Sequence, residues 1–407
     1  MKRNVKVVIG SNYGDECKGL ATKYLCEKSN NNDSPVTLNV LFNGGCQRGH
    51  TVDLVDGNRH VFHHFGSGTF SNAYTYFDDA FLLNPMIFVQ EYENLVVNHN
   101  VQPVCFVSPF CKVTTPYDIF VNHIIEMFRG DKKHGSCGYG IWETQMRHHT
   151  SKYNLLYPAL CKLSNQDMND YLESIANEYL PQRLNSYGCY NIPIEYQDLC
   201  KSTSLRQHYI DDFRKMQLLL KKPIELFELV NTCDDFANIV FEGSQGLELD
   251  EDNIKAYPYV TASSTTSNRP LTVIKNWDCD VEICYVTRSY FTRHGVGYFP
   301  TECDKEDICK NIEDKTNVYN DFQNDIRYGK FDIVEFSRRV NRDMNLAQTM
   351  KDDVKFSIFI SHLNYTNNEI CGNCTINDLA KMVHKVYLSA SKYSNDVIVS
   401  NALASIT

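Results

Sequence analysis

No run of this sequence approaches the ~18 consecutive apolar residues of a membrane-spanning helix, so no membrane partner is expected. Basic residues are outnumbered, 40 Lys and Arg against 50 Asp and Glu, for a net charge of −10 and a pI of about 5.7. That balance argues against a nucleic-acid coat protein, which needs a basic face to displace counterions, and no nucleic-acid partner is expected. It leaves room for a nucleotide-binding enzyme, because a phosphate pocket needs only a few local donors. The phosphate-loop pattern Gly-x4-Gly-Lys-Ser/Thr is absent, and no internal repeat is found. A signal peptide is not expected either, since Met1-Lys2-Arg3 runs straight into the strand-like "NVKVVIG", which is too short and wrongly followed. Sixteen cysteines without a secretion signal read as reduced thiols in a cytosol-like compartment. The pair Cys371 and Cys374 has Cys-x-x-Cys spacing but no second pair; it is read as structural, with a redox or zinc role as the minor alternative.

What is present is ample core material: 407 residues, 43% apolar, with 22 Phe and 25 Tyr. The length allows one large or two ordinary domains. Strand-like runs recur between helical patterns: "VKVVIG" (5–10), "VTLNVLF" (36–42), "HVFHHF" (60–65), "VCFVSPF" (104–110), "NIVFEG" (238–243), "VEICYVTRSYF" (281–291), "KFSIFISHLNY" (355–365) and "DVIVSNA" (396–402). Several end in Gly, Ser or Asn, the pattern of an α/β protein with functional loops at its strand ends. A mostly parallel central sheet flanked by helices is expected, as a single domain over 1–407. Residues 151–235 look mainly helical and are read as an insertion packed beside the sheet. "SNNNDSP" (29–35) reads as a polar turn, and "TINDLAKMVHKVYLSASKY" (375–393) opens with Thr375 three residues before Asp378, close to a capping box.

Four segments could carry chemistry. In "VVIGSNYGDECKGLATKYL" (7–25) a strand runs into Gly10, a turn follows, and then a helix. Backbone amides of such a turn favour phosphate, Lys18 adds charge, and Asp15 could bind magnesium or act as a base. A capped helix with a solvated acidic turn is an equal alternative for this stretch alone. "FNGGCQRGHTV" (42–52) delivers His50 from a glycine turn at a strand end. For a lone histidine a structural role is the ordinary reading. "FEGSQGLELDEDNIKAYPYVTASSTTS" (241–267) delivers Glu242, Gly243 and Gln245, then leads to Thr261. Gln can donate to a carbonyl oxygen and Thr to a phosphate; a turn-rich surface loop is the alternative. "SYFTRHGVGYFPTE" (289–302) places Arg293 in a Gly-flanked turn, and "HGSCGYG" (134–140) suits close backbone approach.

Taken in order, "GDECKG", "NGGCQRGHT", "FEGSQGLELD" with "YPYVT", and "FTRHGVGYFPTE" resemble the adenylosuccinate synthetase family, as a divergent member. The motifs span residues 10–302, with weaker matches to about 402. The resemblance implies a C–N bond-forming ligase: the γ-phosphoryl of GTP passes to O6 of IMP, and the amino group of aspartate then displaces phosphate. Carried over, Asp15, His50, Lys18 and Gln245 are catalytic. Asp15 removes the N1 proton and, with the Gly49 carbonyl, binds Mg²⁺. His50 donates to the transferring phosphoryl and to O6, Lys18 neutralises phosphate charge, and Gln245 holds the 6-position. Gln47, Ser136, Cys137, Gly138, Thr261 and Arg147 would hold the purine nucleotide, Arg147 reaching across a homodimer interface. Thr292, Arg293 and Arg327 would bind the amine. Gly14, Glu16, Cys17, Gly19, His362, Asn364 and Ser400 would bind the donor. This is positioning plus electrostatic stabilisation, as phosphoryl transfer requires.

The sequence departs from the family in places. Cys17 replaces a Gly in the phosphate turn, which costs backbone freedom if the turn needs positive φ. Cys137 replaces a Thr and Gln47 an Asn. At the donor base, Ser361-His362-Leu363-Asn364 stands where the family has Thr-Lys-Leu-Asp. A carboxylate accepts from N1–H and N2–H₂ of guanine, whereas an Asn amide matches the acceptor and donor of adenine. Phage relatives that make 2-aminoadenylosuccinate from dGMP resemble this chain at that Asn, and some use adenine nucleotides. They lack the catalytic Asp, which Asp15 preserves here, and an Asp accepting from N1–H would crowd a 2-amino group. The Thr-Thr-Gly-Arg-rich amine loop corresponds to "VYNDFQNDIRYGKFD" (318–332), where Arg327 remains and Asp321, Asp325 and Asp332 enter. Carboxylates beside a dicarboxylate substrate are unfavourable; a displaced alignment over an ordinary surface loop is the alternative. Three readings stay open: an active ligase of this type using IMP or dIMP, GTP or ATP, and aspartate; a relative with a changed purine (dGMP) or another amine and ATP; and a catalytically weak nucleotide-binding regulator.

Overall fold

Val5, Val7 and Ile9 alternate with Val8 across the two faces of the strand Arg3–Gly10, and each set packs into a different apolar cluster. A strand buried on both faces belongs at the centre of a covered parallel sheet, and that is where it lies. The computed structural model describes residues 2–29, 36–232, 236–317, 319 and 322–401. Among these, nine strands form one sheet in the order Ile398–Asn401, Lys385–Leu388, Lys355–Ser361, Cys279–Arg288, Arg3–Gly10, Asn238–Gly246, Leu38–Leu41, Tyr74–Phe77 and Cys105–Val107. Neighbouring strands are parallel except at one edge, where Ile398–Asn401 runs antiparallel to Lys385–Leu388.

One face is covered by the helix Ile333–Met350, whose Phe336, Val340, Met344 and Ala347 form an apolar stripe against the sheet. Asp332 caps it by accepting from the Val334 amide at 2.9 Å. On the other face the helix Lys18–Ser29 packs Leu20, Ala21, Tyr24 and Leu25 beside Val8 and Val240. Residues 157–232 are mainly helical and join a cluster built on Val107, Val121, Ile124, Ile210 and Phe213. Within them Pro181 lacks an amide donor, and the helix widens to a π turn over Ile175–Tyr179 just before it.

Three expectations need correction. "HVFHHF" is a strand only over Arg59–Phe62, and it pairs with His50–Asp53 in a separate two-stranded ribbon. The Thr375 capping box forms, with Asp378 as its reciprocal partner, but the helix ends at Ala380 and Lys385–Leu388 continues as a strand. There the pairing of "KVYL" with Ser357–Ile360 outweighs local helix preference. The strand Tyr74–Phe77 was not anticipated, although its Tyr-Thr-Tyr-Phe composition suits a strand. Of the polar turn at 29–35 only Ser29 lies among the described residues, and Asp321 and Ala402 lie outside them. The fifteen described cysteines all carry free thiols.

Candidate active site

The C-terminal strand ends gather the motif loops on one edge of the sheet, the position where open α/β sheets bind ligands. The strand Arg3–Gly10 ends in a turn whose acidic residue folds back into it. Glu16 accepts from the amides of Asn12 and Gly14, both at 2.9 Å, and from Lys18 Nζ at 2.9 Å. Lys18 is thus paired inside the turn, with its side chain only 2% exposed. The Asp15 carbonyl accepts from Arg288 Nε at 2.6 Å, while its carboxylate makes no hydrogen bond or ion pair among the described residues.

Glycine permits the close packing of these loops. A Cβ on Gly10 would stand 2.4 Å from the Gln245 carbonyl oxygen and 2.5 Å from Glu16 Oε2. One on Gly44 would stand 3.0 Å from Gln47 Nε2 and 2.9 Å from Ser244 Cβ. The turn carrying Gln47 is fixed by Asn43, which accepts from the Ser244 amide at 2.7 Å and donates to the Ser264 carbonyl at 2.8 Å. Gly49 differs: it is exposed, and a Cβ there would meet only Val61 and Thr316, no closer than 3.6 Å.

His50 is buried and its Nδ1 lies 2.6 Å from Glu242 Oε1. Arg48 Nη2 reaches the same oxygen at 2.6 Å, and the Ser67 amide donates to Oε2 at 2.9 Å. Burial and the nearby Arg48 guanidinium push the His50 ring down to about 3, despite Glu242. Burial opposes ionisation of Glu242, but Arg48 and His50 overcome it and hold the carboxyl at about 2. The ring is neutral at pH 7 beside an ionised carboxylate.

Backbone strain concentrates here. Ten non-glycine residues among those described have positive φ. Six are Asn or Asp outside these turns (Asn72, Asn100, Asn324, Asp353, Asn367, Asn368), types that tolerate the left-handed region. The other four are Asp15 (φ 59°), Cys17 (72°), Gln245 (59°) and His362 (60°), all in the motif turns. Left-handed Cys, Gln and His persist only where the surroundings over-determine them, which is characteristic of functional sites. Buried polar atoms without partners cluster in the same loops: both amide atoms of Gln47, Gln245 Oε1, Arg48 Nε and Nη1, and Thr292 Oγ1.

The donor-base segment meets the phosphate turn. Ser361 Oγ lies 3.3 Å from the Glu16 carbonyl, and His362 Nδ1 lies 2.9 Å from Ser361 Oγ and 3.7 Å from Cys17 Sγ. Burial and Arg288 hold the His362 ring well below the usual histidine range. The Asn364 side chain is exposed on the short turn Leu363–Tyr365. Ser400 sits in the antiparallel edge strand, two strands from the one that leads into His362.

The Gly-rich loop packs against the Arg293 loop: a Cβ on Gly135 would stand 3.2 Å from the Val296 amide, and one on Gly297 3.1 Å from Tyr259 Cβ. His123 stacks on Phe322 of the amine loop, with ring centroids 4.6 Å apart. In the Gly-rich loop Ser136 Oγ donates to Asn122 and accepts from the Gly138 amide, while Glu126 accepts from the Gly135 amide at 3.0 Å. Cys137 is pushed up to about 11 by burial. The Thr261 amide donates to the Leu249 carbonyl.

Two cations assigned to ligands are otherwise engaged. Arg147 is 1% exposed; its nitrogens donate to both oxygens of Asp118 and to the carbonyls of Tyr153 and Val113. It staples elements within the chain, and all its nitrogens are engaged there. Arg327 donates to both oxygens of Glu302, at 2.8 and 2.5 Å, and to the carbonyls of Gly295 and Gly297. Its charge is compensated within the protein. Arg293 is buried above the Tyr13 ring and bonds only carbonyls, those of Val296 and Tyr298. Among the described residues it forms no ion pair with a carboxylate, although Glu248 lies near enough to act on its charge.

Sequence reasoning missed a brace between the turns. Arg288 links the Asp15 carbonyl to Asp314 at 3.0 Å, and Asp314 accepts from the Thr316 and Asn317 amides. Thr316 in turn meets Thr51 Oγ1 at 2.6 Å, beside His50. Arg288 had a signal, its place at the end of a buried strand; Asp314 and Thr316 lie in a polar stretch with none. Glu242 was noted at its strand end, but its partners 175 to 194 residues away were not readable.

Comparison with known proteins agrees with this geometry. The family model for adenylosuccinate synthetase matches residues 7–359. An adenylosuccinate synthetase from Psychrobacter arcticus is 30% identical over 308 residues, covering 74% of this chain and 66% of that protein. One from Saccharophagus degradans is 28% identical over 322 residues, 78% of this chain and 69% of that protein. The chain therefore matches slightly less than two thirds of the length of the Psychrobacter protein. Among solved structures, fully ligated adenylosuccinate synthetase from Plasmodium falciparum superposes with a TM-score of 0.64 at 17% identity, covering 98% of this chain and 87% of that one. Cyanophage S-2L succinoaminodeoxyadenylate synthetase, bound to dGMP and to dATP as an energy donor, gives 0.62 at 16% identity, covering 98% and 95%. These two show a shared fold, and the match to the family model over most of the sequence establishes that the chain belongs to the adenylosuccinate synthetase family.

Proposed function

We propose that the protein is a Mg²⁺-dependent ligase that phosphorylates O6 of IMP or dIMP from a nucleoside triphosphate and replaces that phosphate with the amino group of aspartate. The observation that carries this reading is the convergence of left-handed Asp15, Cys17, Gln245 and His362 in turns packed beside His50. Asp15, with an unengaged carboxylate, takes the N1 proton and raises electron density on O6. Gln245 Oε1 and the Gln47 amide, buried without protein partners, are available to the purine nucleotide. His50 stands beside the phosphate turn as the ring that meets the phosphoryl group, and Lys18, on leaving Glu16, would join the turn amides on the donor phosphates.

The residues present fit magnesium. Mg²⁺ is commonly held by one or two carboxylates with substrate phosphates, and the Asp15 carboxylate is unengaged among the described residues. Asp15 and the open Gly49 carbonyl would hold it, and when bound it would neutralise charge between the phosphates. Aspartate remains first as the amine because Arg293 is a buried cation that forms no ion pair among the described residues. A second reading, a changed amine, is favoured by the pairing of Arg327 with Glu302 and by exposed Asp325, which lines one shallow depression with Arg327. ATP is proposed to serve as donor alongside or ahead of GTP, because Asn364 is a neutral amide; the cyanophage relative bound to dATP is consistent with that choice. A homodimer is expected from the family, without a role for Arg147. Among the described residues no helix is long and apolar enough to cross a membrane, and we place the enzyme in the cytoplasm.

The test is a product assay by mass spectrometry, offering IMP, dIMP, GMP and dGMP against ATP, GTP and the common amino acids. A succinyl-purine nucleotide with matching nucleoside diphosphate supports the proposal. Absence of any 6-substituted purine with every combination removes it.

A further inference from the structure

The Asp314 carboxylate is saturated with donors from two directions. Its Oδ1 accepts from the amides of Thr316 and Asn317, at 3.1 and 3.0 Å. Its Oδ2 accepts from Arg288 Nη2 at 3.0 Å and from Asn317 Nδ2 at 2.7 Å. The Arg288 and Asp314 side chains are 4% and 11% exposed, so little water competes for them. Arg288 spends its other edge on the phosphate turn, where Nε donates to the Asp15 carbonyl at 2.6 Å. Asp15 is left-handed, with φ of 59°. Because the peptide units on both sides of its Cα are planar, holding that carbonyl also sets the direction of the Asp15 side chain. On the far side of Asp314, Thr316 Oγ1 meets Thr51 Oγ1 at 2.6 Å and accepts from Arg59 Nη2. Thr316 thereby touches both strands of the ribbon that begins at His50.

We infer that Asp314 is a positioning residue: through Arg288 it fixes the backbone of Asp15, and through Thr316 it ties that turn to the strand carrying His50, so that the two side chains keep one spacing. Asp314 acts only through these neighbours. The tie depends on a carboxylate specifically. Asparagine has one acceptor oxygen. Its NH₂ would face either Arg288 and the Asn317 side chain or the amides of Thr316 and Asn317, donor against donor in both orientations. One half of the link is lost whichever way the amide turns. The inference rests on the proposed roles of Asp15 and His50, but the mechanical link between their turns can be measured without turnover.

The experiment compares wild type, Asp314→Asn and Glu282→Gln, the last as a control for lost stability far from the site. Hydrogen exchange read by mass spectrometry follows peptides covering 10–19 and 48–53, and steady-state kinetics give kcat and the KM of both nucleotides. Asp314→Asn is expected to speed exchange ~5-fold or more in both peptides. It is also expected to lower kcat ~10-fold, with both KM values within about threefold. Glu282→Gln should leave the two peptides and kcat within about twofold of wild type. Faster exchange in only one peptide or in neither overturns the inference, as does full kcat in Asp314→Asn or an equal loss of kcat in the control. If Asp314→Asn does not fold, Thr316→Val serves: losing the bridge to Thr51 should speed exchange in 48–53 and lower kcat ~3-fold at unchanged KM, and full kcat overturns the inference. If wild type turns over no purine nucleotide, the functional reading fails while exchange in the two peptides still decides whether Asp314 links the turns.

Discussion

Gly19 packs directly on His50: a Cβ at position 19 would stand 3.1 Å from the His50 Cβ, 3.0 Å from its carbonyl carbon and 2.7 Å from the Thr51 carbonyl oxygen. The helix that begins at Lys18 and the strand that begins at His50 therefore share one contact with no room for a methyl group. Gly19→Ala must push the phosphate turn and the histidine apart. Displacements of that size at a reacting centre cost up to ~10² in rate. We expect kcat to fall at least tenfold while the circular dichroism spectrum is retained; unchanged kcat would show that the two turns do not act together.

Asp15 and His50 reach the site from separate turns, so each should be needed independently. Asp15→Ala and His50→Ala are each expected to lower turnover by ~10²-fold or more with the fold intact. Near-normal turnover in either variant would remove that residue from the mechanism.

Asn364 is exposed and presents a neutral amide where a guanine reader presents a carboxylate. Calorimetry with non-hydrolysable analogues should find ATP bound at least as tightly as GTP, and Asn364→Asp should shift preference towards GTP. Strong GTP binding with no ATP binding in the wild type would end the idea.

Cys17 has φ of 72° in a turn where glycine carries no penalty. Its thiol contacts His362 at 3.7 Å and packs against the apolar cluster around Val8 and Leu20. Cys17→Gly is expected to raise stability by roughly 0.5–1 kcal/mol, the relief of left-handed strain exceeding the added chain entropy. Denaturant melts that show a loss would place the value of Cys17 in its packing.

Acid sensitivity should arise partly far from the site. Burial opposes ionisation of Glu282, but Lys6, Ser357 and Lys385 hold its carboxyl at about 2, against an ordinary 4.5. A carboxyl whose folded value is depressed stabilises the fold above its unfolded value, and that contribution is lost as pH falls from about 4.5 towards 2. Glu282→Gln should cost on the order of 2 kcal/mol at pH 7. It should also flatten the decline of stability below pH 4.5. A variant whose stability falls with pH as steeply as the wild type would refute the assignment.

Local patterns were legible wherever one strand or turn carried the whole signal. Alternating Val5, Val7 and Ile9, the glycines of "GDECKG", and Thr375 with Asp378 each announce their structure within a few residues. At Cys17 the replaced glycine raised the question of a positive φ, and the φ is positive. What could not be read depends on distant partners. Arg147 looks like any surface arginine until Asp118 and the Val113 carbonyl enclose it. Arg327 looked available for a substrate until Glu302 folded onto it. The brace from Asp15 through Arg288 and Asp314 to Thr316 joins three segments separated by more than two hundred residues or lying in polar sequence without periodicity. Such contacts are fixed by the sheet order, which no local window contains.

That sheet order has a consequence for biogenesis. The strand Arg3–Gly10 is flanked by Asn238–Gly246 and Cys279–Arg288. When the ribosome has released the first strand, neither of its hydrogen-bonding neighbours exists. At ~5–20 residues per second, on the order of 15–60 s pass before the second neighbour emerges. Until Asn238–Gly246 emerges both edges of an apolar strand stay open, and one stays open until Cys279–Arg288 follows, so the nascent chain, rather than the finished protein, is the species most dependent on chaperones and most prone to aggregate on overexpression.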